Sequence, residues 1–139
     1  MSSKRRPFFY IHQLEQLVRL QLESTLNPLG ITAGQYMILS LISRHEPISS
    51  AELSRLVKIT AQSMGEFIKY LERKDWILRR EDPGNKRVLL IETTVAGRVL
   101  LRQCEQEVDN LEKEFFKSVS AQEMTLLEGI LKKLSAGQH

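Results

Sequence analysis

The sequence predicts a mostly α-helical chain with one small β-hairpin. Apolar residues recur every three or four positions over most of the chain, and capping boxes stand at the expected helix starts. Two short apolar runs flank a segment of turn-forming residues, which indicates the hairpin. At 139 residues, with 42% apolar and 27% charged residues, the chain has the size and composition of about one folded domain.

The first three helices are delimited by their end signals. A helix is predicted over residues 8–29, where Asn27-Pro28-Leu29-Gly30 stops it. Thr32-Ala33-Gly34-Gln35 is a capping box that opens a second helix, which ends at His45-Glu46-Pro47. Ser49-Ser50-Ala51-Glu52 is another such box, and it opens a short third helix.

The fourth helix is predicted from its cap Thr60 to about Lys74. Only Lys58-Ile59 separates it from the third helix, so the connection is a tight turn. Gln62 and Ser63 fall away from its apolar stripe, and such side chains can hydrogen-bond base edges in a major groove. A short helix, a tight turn and a polar-faced helix are typical of a helix–turn–helix, here over about residues 50–73. Helical hairpins with other functions share this pattern.

A hairpin follows the fourth helix directly. Strands are predicted at Trp76–Arg80 and Val88–Glu92, with a loop at Asp82–Arg87 between them. We expect Lys86 and Arg87 at the tip of this loop, where they can reach phosphates or a minor groove. The sequence therefore predicts a winged helix–turn–helix over residues 32–92 with its wing at 77–92. The alternative is a surface hairpin whose charges are incidental.

Two further helices complete the chain, one over residues 95–118 and one after the capping box Ser120-Ala121-Gln122-Glu123. Their apolar residues are spaced three and four apart, as in helices that pack along a seam. Together with the first helix, we expect these helices to form a homodimer interface. Packing within one chain is the alternative.

Charge and cysteine content narrow the partners and the compartment. The net charge is +3 and the pI is about 9.1, with the basic excess in the first two-thirds of the chain, which suits a polyanion. A solvated surface of mixed charge is the alternative. No apolar stretch is long enough for a membrane span, and no signal peptide is evident. The single cysteine, Cys104, fits a reducing compartment, so we expect a cytoplasmic protein.

Catalysis and metal binding are not indicated. The three histidines His12, His45 and His139 stand far apart, and no Cys/His cluster, glycine-rich phosphate loop or nucleophile motif is present. Cys104 lies on an apolar seam and is expected to act as a small buried hydrophobe, with redox sensing as the alternative. We therefore expect no enzyme activity, no cofactor and no metal.

The whole chain, over roughly residues 8–135, resembles the MarR family of bacterial transcriptional regulators. The resemblance rests on several short segments: Leu29-Gly30-Ile31-Thr32 with Gln35-Tyr36, Leu53-Ser54, Leu71-Glu72-Arg73-Lys74, Arg79-Arg80-Glu81-Asp82-Pro83 before Lys86-Arg87, and Thr94-Val95-Ala96-Gly97. It implies a winged-helix homodimer, a single MarR-type domain over residues 1–139 with dimerisation helices at 8–29 and 95–135. It also implies a regulator, here expected to be a repressor, that binds pseudo-palindromic double-stranded DNA. Many members of the family release DNA when a small aromatic acid binds.

Two positions depart from the family pattern. The wing reads Asn85-Lys86-Arg87 instead of Asp-x-Arg, so a carboxylate that braces Arg87 would have to come from Asp82 or elsewhere. The usual glycine after the recognition helix is Asp75, which tolerates a left-handed backbone better than most residues.

These patterns define two sets of candidate site residues. The predicted DNA-contacting residues are Ser49, Thr60, Gln62, Ser63, Lys69, Tyr70, Arg79, Lys86 and Arg87. The predicted effector-binding residues are Arg6, Tyr10, His12 and Tyr36, because Arg holds a carboxylate by paired hydrogen bonds and the aromatic side chains can flank a ring. The alternative function is a winged-helix protein–protein interaction module that does not read DNA.

Overall fold

The computed structural model describes residues 6–137 and contains six α-helices and a three-stranded sheet within that range. In chain order the elements are α1 (Pro7–Leu26), α2 (Ala33–His45), β1 (Ile48–Ser49), α3 (Ser50–Val57), α4 (Ala61–Arg73), β2 (Ile77–Asp82), β3 (Asn85–Thr93), α5 (Val95–Phe115) and α6 (Ala121–Ala136). A short 3₁₀ turn at Asn27–Leu29 follows α1, so the α-helix ends three residues before the predicted boundary.

Side-chain caps start the helices where the sequence predicts them. The Thr32 side chain accepts a hydrogen bond from the Gln35 backbone N–H, and the Thr32 backbone N–H donates to the Gln35 side chain. Ser120 and Glu123 form the same reciprocal pair at α6. At α3 the Ser49 hydroxyl accepts the Glu52 backbone N–H and donates to the Glu52 carboxylate. In this box the glutamate side chain therefore bonds to the serine hydroxyl and not to the serine backbone N–H.

The sheet has one strand more than the predicted hairpin. Strand β1 pairs antiparallel with β3, joining Ile48 to Ile91 and Ser49 to Leu90, and the strand order is β1-β3-β2. A two-residue strand carries no alternating pattern of its own, which is why the sequence did not reveal it.

The wing strands are longer than predicted and the loop between them is shorter. Only Pro83 and Gly84 separate β2 from β3, because a register shift after Glu81 pairs Asp82 with Asn85. The expectation that Lys86 and Arg87 lie in the loop tip is therefore wrong, since both belong to β3, just beyond the turn. Such a register shift is typical of a β-bulge, which bends the strand locally.

The hydrophobic core lies among α1 to α4, the first half of α5 and one face of the sheet. Its fully buried side chains are Leu26, Leu39, Ile42, Leu53, Met64, Ile68, Leu71, Ile77, Ile91 and Cys104. The apolar stripe predicted for α4 is buried here, which leaves the opposite face of that helix toward solvent. Burial of Cys104 agrees with its predicted behaviour as a small hydrophobe.

Left-handed residues shape the two turns that flank α4. Lys58 ends α3 with a φ of 55°, and Asp75 follows α4 with a φ of 64°. Asp75 thus takes the left-handed conformation expected of the residue that replaces the family glycine. Immediately after it, the Trp76 carbonyl lies so close to α5 that a Cβ on Gly97 would stand 2.0 Å from its oxygen.

The chain divides into two compact units, one up to Val108 and one from Asp109 onward, and α5 runs through this boundary. In the second unit α6 begins at its capping box and leaves Leu126, Ile130, Leu131 and Leu134 exposed. Within residues 6–137, no helix is both long enough and apolar enough to cross a membrane.

Candidate nucleic-acid interface

The first turn of α4 presents small polar side chains to solvent. Gln62 and Ser63 are exposed, whereas the next residue, Met64, is fully buried in the core. The Thr60 hydroxyl accepts the Ser63 N–H at 3.0 Å and donates to the Ser63 Oγ at 3.1 Å. Since one lone pair of Ser63 is thereby used, its own hydroxyl proton stays available to an external acceptor. Lys69 is exposed two turns further along.

Tyr70 is placed differently from the other predicted contacts on α4. Its side chain is half-buried, and its hydroxyl donates to the Gly30 carbonyl at 3.0 Å. The ring meets the Trp76 ring edge-on at a centroid distance of 6.2 Å. The cationic groups of Arg73 and Lys74 lie 5.5 and 5.7 Å from its centroid, within the range of a cation–π interaction.

Arg79 projects from β2 toward α4 and is held by a carboxylate of that helix. Its Nε donates to one oxygen of Glu72 at 3.0 Å and its Nη2 to the other at 2.8 Å. This bidentate pair lowers the pKa of Glu72 and raises that of Arg79, chiefly through these side-chain hydrogen bonds. Nη1 and the second N–H of Nη2 on Arg79 then remain for a phosphate.

The wing carries its exposed cations on β3. Lys86 and Arg87 are exposed, and the Arg87 backbone N–H donates to the Asn85 side chain at 3.1 Å. The Asp82 carboxylate accepts the Gly84 N–H at 2.9 Å, so it stabilises the turn between the two strands. Arg80, by contrast, is paired with Glu92 at 2.9 Å across the two wing strands. Lys86 and Arg87 therefore leave their positive charge free at the outer end of the wing.

Ser49 lies at the junction of the sheet and the helix–turn–helix. Its backbone belongs to β1 and pairs with Leu90 on β3, and its side chain caps α3. The side chain is half-buried and its oxygen is engaged with Glu52.

The base of the wing is held by residues that were not predicted as functional from the sequence. The Glu46 carboxylate at the end of α2 accepts both the backbone N–H and the hydroxyl of Thr93, each at 3.0 Å. Arg98, on α5, donates to the Thr93 carbonyl at 3.1 Å. Thr93 is the last residue of β3 and is nearly buried, so α2 and α5 both hold the wing at its root.

The predicted effector residues differ in their burial and in the helices on which they lie. Arg6, Tyr10 and His12 are exposed around the first turns of α1, whereas Tyr36 is half-buried against the core on α2. A cavity of about 750 Å³ lies elsewhere along the same two helices. Its lining includes Arg19, Leu20, Glu23, Ala33, Gly34 and Phe67. In it, the Glu23 carboxylate accepts the Ala33 N–H at the start of α2.

Reactive and metal-binding groups are scarce in the described region. Burial raises the pKa of the Cys104 thiol to about 11, with a further contribution from Glu105. Between Arg6 and Gly137, no group of three His, Cys, Asp or Glu side chains is arranged to hold a metal ion.

A polar-faced helix preceded by a tight turn and followed by a cationic hairpin defines a winged helix–turn–helix protein. Comparison with known proteins gives the family. The MarR family model matches residues 31–89. Over 125 residues the chain is 32% identical to the multiple antibiotic resistance protein MarR of Escherichia coli, covering 89% of this chain and 87% of that protein. The chain belongs to the MarR family of transcriptional regulators.

Solved structures agree with this assignment. A cysteine-to-serine variant of E. coli MarR complexed with operator DNA matches with a TM-score of 0.81 and 32% identity over 90% of each chain. The apo form of wild-type E. coli MarR matches with a TM-score of 0.82 and 30% identity, over 96% of this chain and 98% of that one. The transcriptional regulator SlyA, at 21% identity and a TM-score of 0.84, shares the fold over 95% and 93% of the two chains.

Proposed function

We propose that this protein is a cytoplasmic, homodimeric repressor that binds double-stranded DNA at a pseudo-palindromic site. The observation that carries the proposal is the exposed Gln62-Ser63 face of α4 on the same compact unit as a wing with two free cations. Amide and hydroxyl groups suit base edges, and the wing cations suit phosphates or a narrow minor groove. The operator-bound E. coli relative supports the same use of the fold.

The proposed contacts fall into two kinds. Gln62 and Ser63 read base edges, because they stand at the start of α4 and have short, exposed polar groups. Lys86 and Arg87 contact the backbone, because they carry unpaired charge on the wing. Ser49, Thr60, Lys69 and Arg79 complete the proposed set. Ser49 and Thr60 stand at helix N-termini, which favour phosphate, and Arg79 keeps one guanidinium nitrogen free. Tyr70, which the sequence predicts as a contact, donates its hydroxyl to the Gly30 carbonyl.

The proposed dimer rests on apolar side chains that a single chain leaves in water. On α1 these include Ile11, Leu14, Leu17 and Val18, which are spaced three, three and one apart and are 39–53% exposed. Four more lie on α6, in the second unit. Exposed apolar patches of this extent mark interaction sites in soluble proteins. A two-fold dimer presents two recognition helices and therefore needs two inverted half-sites.

The test is a salt titration of binding to fragments of the source genome that the protein itself selects. A repressor that neutralises several phosphates loses affinity steeply between about 50 and 200 mM salt, while keeping its preference for the selected fragments. A protein–protein interaction module would show neither the slope nor the preference. That second function has less support, because the exposed centre of the α4 face is polar, whereas the centre of a protein interface is depleted in charge and rich in aromatic side chains.

A small aromatic acid as effector is the finer part of the proposal. The cavity beside α1 supports it: Leu20 and Phe67 offer apolar contacts, and Arg19, which pairs with Glu15 at 3.2 Å, keeps further guanidinium N–H groups for a carboxylate. Such a ligand shifts the dimer between DNA-binding and released conformations only by its difference in affinity for the two.

Calorimetry of the dimer with benzoates and hydroxycinnamates tests this part separately. Arg19→Gln probes the cavity, and Arg6→Ala with His12→Ala probe the residues predicted from the sequence. If binding falls only in Arg19→Gln, the effector site is the cavity. If binding falls only in the other two variants, the effector site is at the start of α1. If no compound binds, the effector proposal is dropped and the DNA-binding proposal stands.

A further inference from the structure

The hydrogen bond from Tyr70 to Gly30 joins the recognition helix to the segment that follows α1. The two residues are 40 positions apart in sequence, and the hydroxyl lies 3.0 Å from the carbonyl oxygen. Gly30 ends the 3₁₀ turn with a φ of 80°, a left-handed conformation that glycine adopts without strain. The direction of the Gly30 carbonyl is therefore set by the conformation of this turn.

Tyr70 also contacts the segment that follows α4. Its ring packs edge-on against Trp76, the first residue after the left-handed Asp75. The Trp76 carbonyl in turn accepts the Thr94 N–H at 3.0 Å and lies against Gly97 at the start of α5. Tyr70 thus contacts the segment that precedes α2 directly, and it is linked through Trp76 to the segment that leads into α5.

The directional contact at this point adds a constraint on the angle of α4 to that of its apolar stripe. The buried Met64, Ile68 and Leu71 hold the helix on the core, but hydrophobic contact has no preferred direction. A hydrogen bond weakens steeply once its distance and angle depart from a narrow range. The hydroxyl therefore resists rotation and tilt of the helix that the core tolerates.

A tilt of α4 about Tyr70 would displace the first turn of the helix. Ser63 precedes Tyr70 by seven residues, which is roughly 10 Å along a helix, so a tilt of about 10° about Tyr70 moves Ser63 by about 2 Å. Hydrogen bonds to base edges do not survive such a displacement, whereas long, flexible cations on the wing still reach phosphates.

We propose that Tyr70 is a positioning residue for DNA reading: its hydroxyl on the Gly30 carbonyl sets the orientation in which α4 presents Gln62 and Ser63. The inference rests on the proposed DNA-binding function but assigns Tyr70 a role inside the protein instead of a contact with DNA. Loss of the hydroxyl then lowers discrimination between sequences while the phosphate-driven part of the affinity stays.

The experiment compares Tyr70→Phe with the unmodified dimer and with Thr125→Val. The control removes another hydroxyl that donates to a backbone carbonyl at 3.0 Å, on α6 and outside the DNA-binding unit. We expect Tyr70→Phe to lower affinity for a self-selected genomic fragment about two- to tenfold, the usual range for one neutral hydrogen bond, with affinity for a random duplex unchanged. Thr125→Val should change neither value. Equal losses on both duplexes, or no loss on either, overturn the proposal.

Hydrogen exchange of the free dimers supplies a readout that needs no DNA. The proposal requires faster exchange in Tyr70→Phe at residues 28–32 and 61–70, with no change in α3. Weaker specific binding without faster exchange would mean that the hydroxyl contacts DNA directly, and it would overturn the positioning role. If the unmodified protein discriminates between no sequences, the DNA-binding proposal fails, while unchanged or faster exchange still decides whether Tyr70 anchors α4.

Discussion

Arg79 and Glu72 form a bidentate ion pair that ties the first wing strand, β2, to α4, the proposed recognition helix. Both oxygens of Glu72 are used, at 2.8 and 3.0 Å, and the two side chains are 34% and 38% exposed. The planar fork of arginine matches a carboxylate in this geometry, so the pair fixes an angle as well as a distance. Wing and recognition helix are therefore cross-linked close to the proposed DNA surface.

Glu72→Gln should destabilise the fold modestly and in a pH-dependent way. Solvent screens this exposed pair, so we expect a loss of about 0.5–1 kcal/mol in the free energy of unfolding at neutral pH. Because the pKa of Glu72 is lowered in the folded state, its contribution is present above the ordinary value of 4.5 and is lost as the pH falls through the folded pKa. Thermal unfolding followed by circular dichroism between about pH 3 and pH 8 measures this.

The control for that measurement is Glu66→Gln, a change of the same kind on an exposed residue of the same helix. It should leave the unfolding temperature unchanged near neutral pH. A stability difference between Glu72→Gln and the unmodified protein that persists undiminished below about pH 3 would contradict the assignment to this ion pair.

Arg87→Ala and Gln62→Ala should weaken DNA binding in different ways. Loss of Arg87 removes one phosphate contact, so affinity falls for most sequences and the salt slope decreases by about 1. Loss of Gln62 removes a base contact, and discrimination at the affected base pair falls by about 1–3 kcal/mol. Lys132→Ala, which removes a cation from α6, is the matched control and should leave the slope unchanged. Uniform losses from both variants would refute the assignment of α4 as the reading helix.

Leu14→Glu should convert the proposed dimer to monomers at micromolar concentration. Leu14 is 50% exposed on α1, so a single chain can accept the charge without loss of its core, but an apolar interface cannot bury it unpaired. Gln13→Glu adds the same charge one position away on the same exposed helix. Light scattering should give a dimer for the unmodified protein and for the control. A monomer in all three samples would exclude the dimer itself.

Gly97→Ala should be among the most destabilising single changes in the chain. A Cβ there would stand 2.0 Å from the Trp76 carbonyl oxygen, which is backbone and can yield only if β2 moves away from α5. We expect a loss of about 3 kcal/mol or more, the upper end for overpacking. Gly65→Ala is the comparison, since nothing lies within 4 Å of its Cβ position in α4, and it should stabilise by about 0.5–1 kcal/mol. Chemical denaturation of both variants gives the two values, and similar stabilities would contradict the close approach.

Cys104 should react slowly with thiol reagents in the native protein. Its side chain is fully buried, and at a pKa of about 11 only about one thiol in three thousand is ionised near pH 7.5. Reaction with a chromogenic disulfide should accelerate at least a hundredfold in guanidinium chloride, where burial is lost. Equal rates in the two conditions would restore the redox-sensing alternative for this residue.

Local signals made most of the fold predictable. The helix starts at Thr32, Thr60 and Ser120 depend on hydrogen bonds within four residues, and all three form as expected. The left-handed Asp75 followed from the chemistry of a short polar side chain. The face that α4 turns to the core followed from periodicity, which is why the exposed Gln62-Ser63 face was found from the sequence.

Long-range pairing set the limit of prediction. Strand β1 exists because Ile48 meets Ile91, 43 positions later, and two residues alone carry no strand signal. The six-residue loop expected at the wing shrank to Pro83-Gly84 because the strands continue pairing past their apolar segments. Tyr70 was expected on the outer face by its position on α4, whereas its partner Gly30 is distant in sequence.

Ser49 has a consequence for the geometry of any operator. This one residue pairs with the wing strand through its backbone and starts α3 through its side chain, so no flexible joint separates wing and helix–turn–helix. Each half of the proposed dimer then presents its wing and its helix–turn–helix to a half-site as one unit, with a set separation between the two along the duplex. Inserting a single base pair between the major-groove and minor-groove contacts of one half-site, a shift of about 3.4 Å with a rotation, should leave one of the two without its partner.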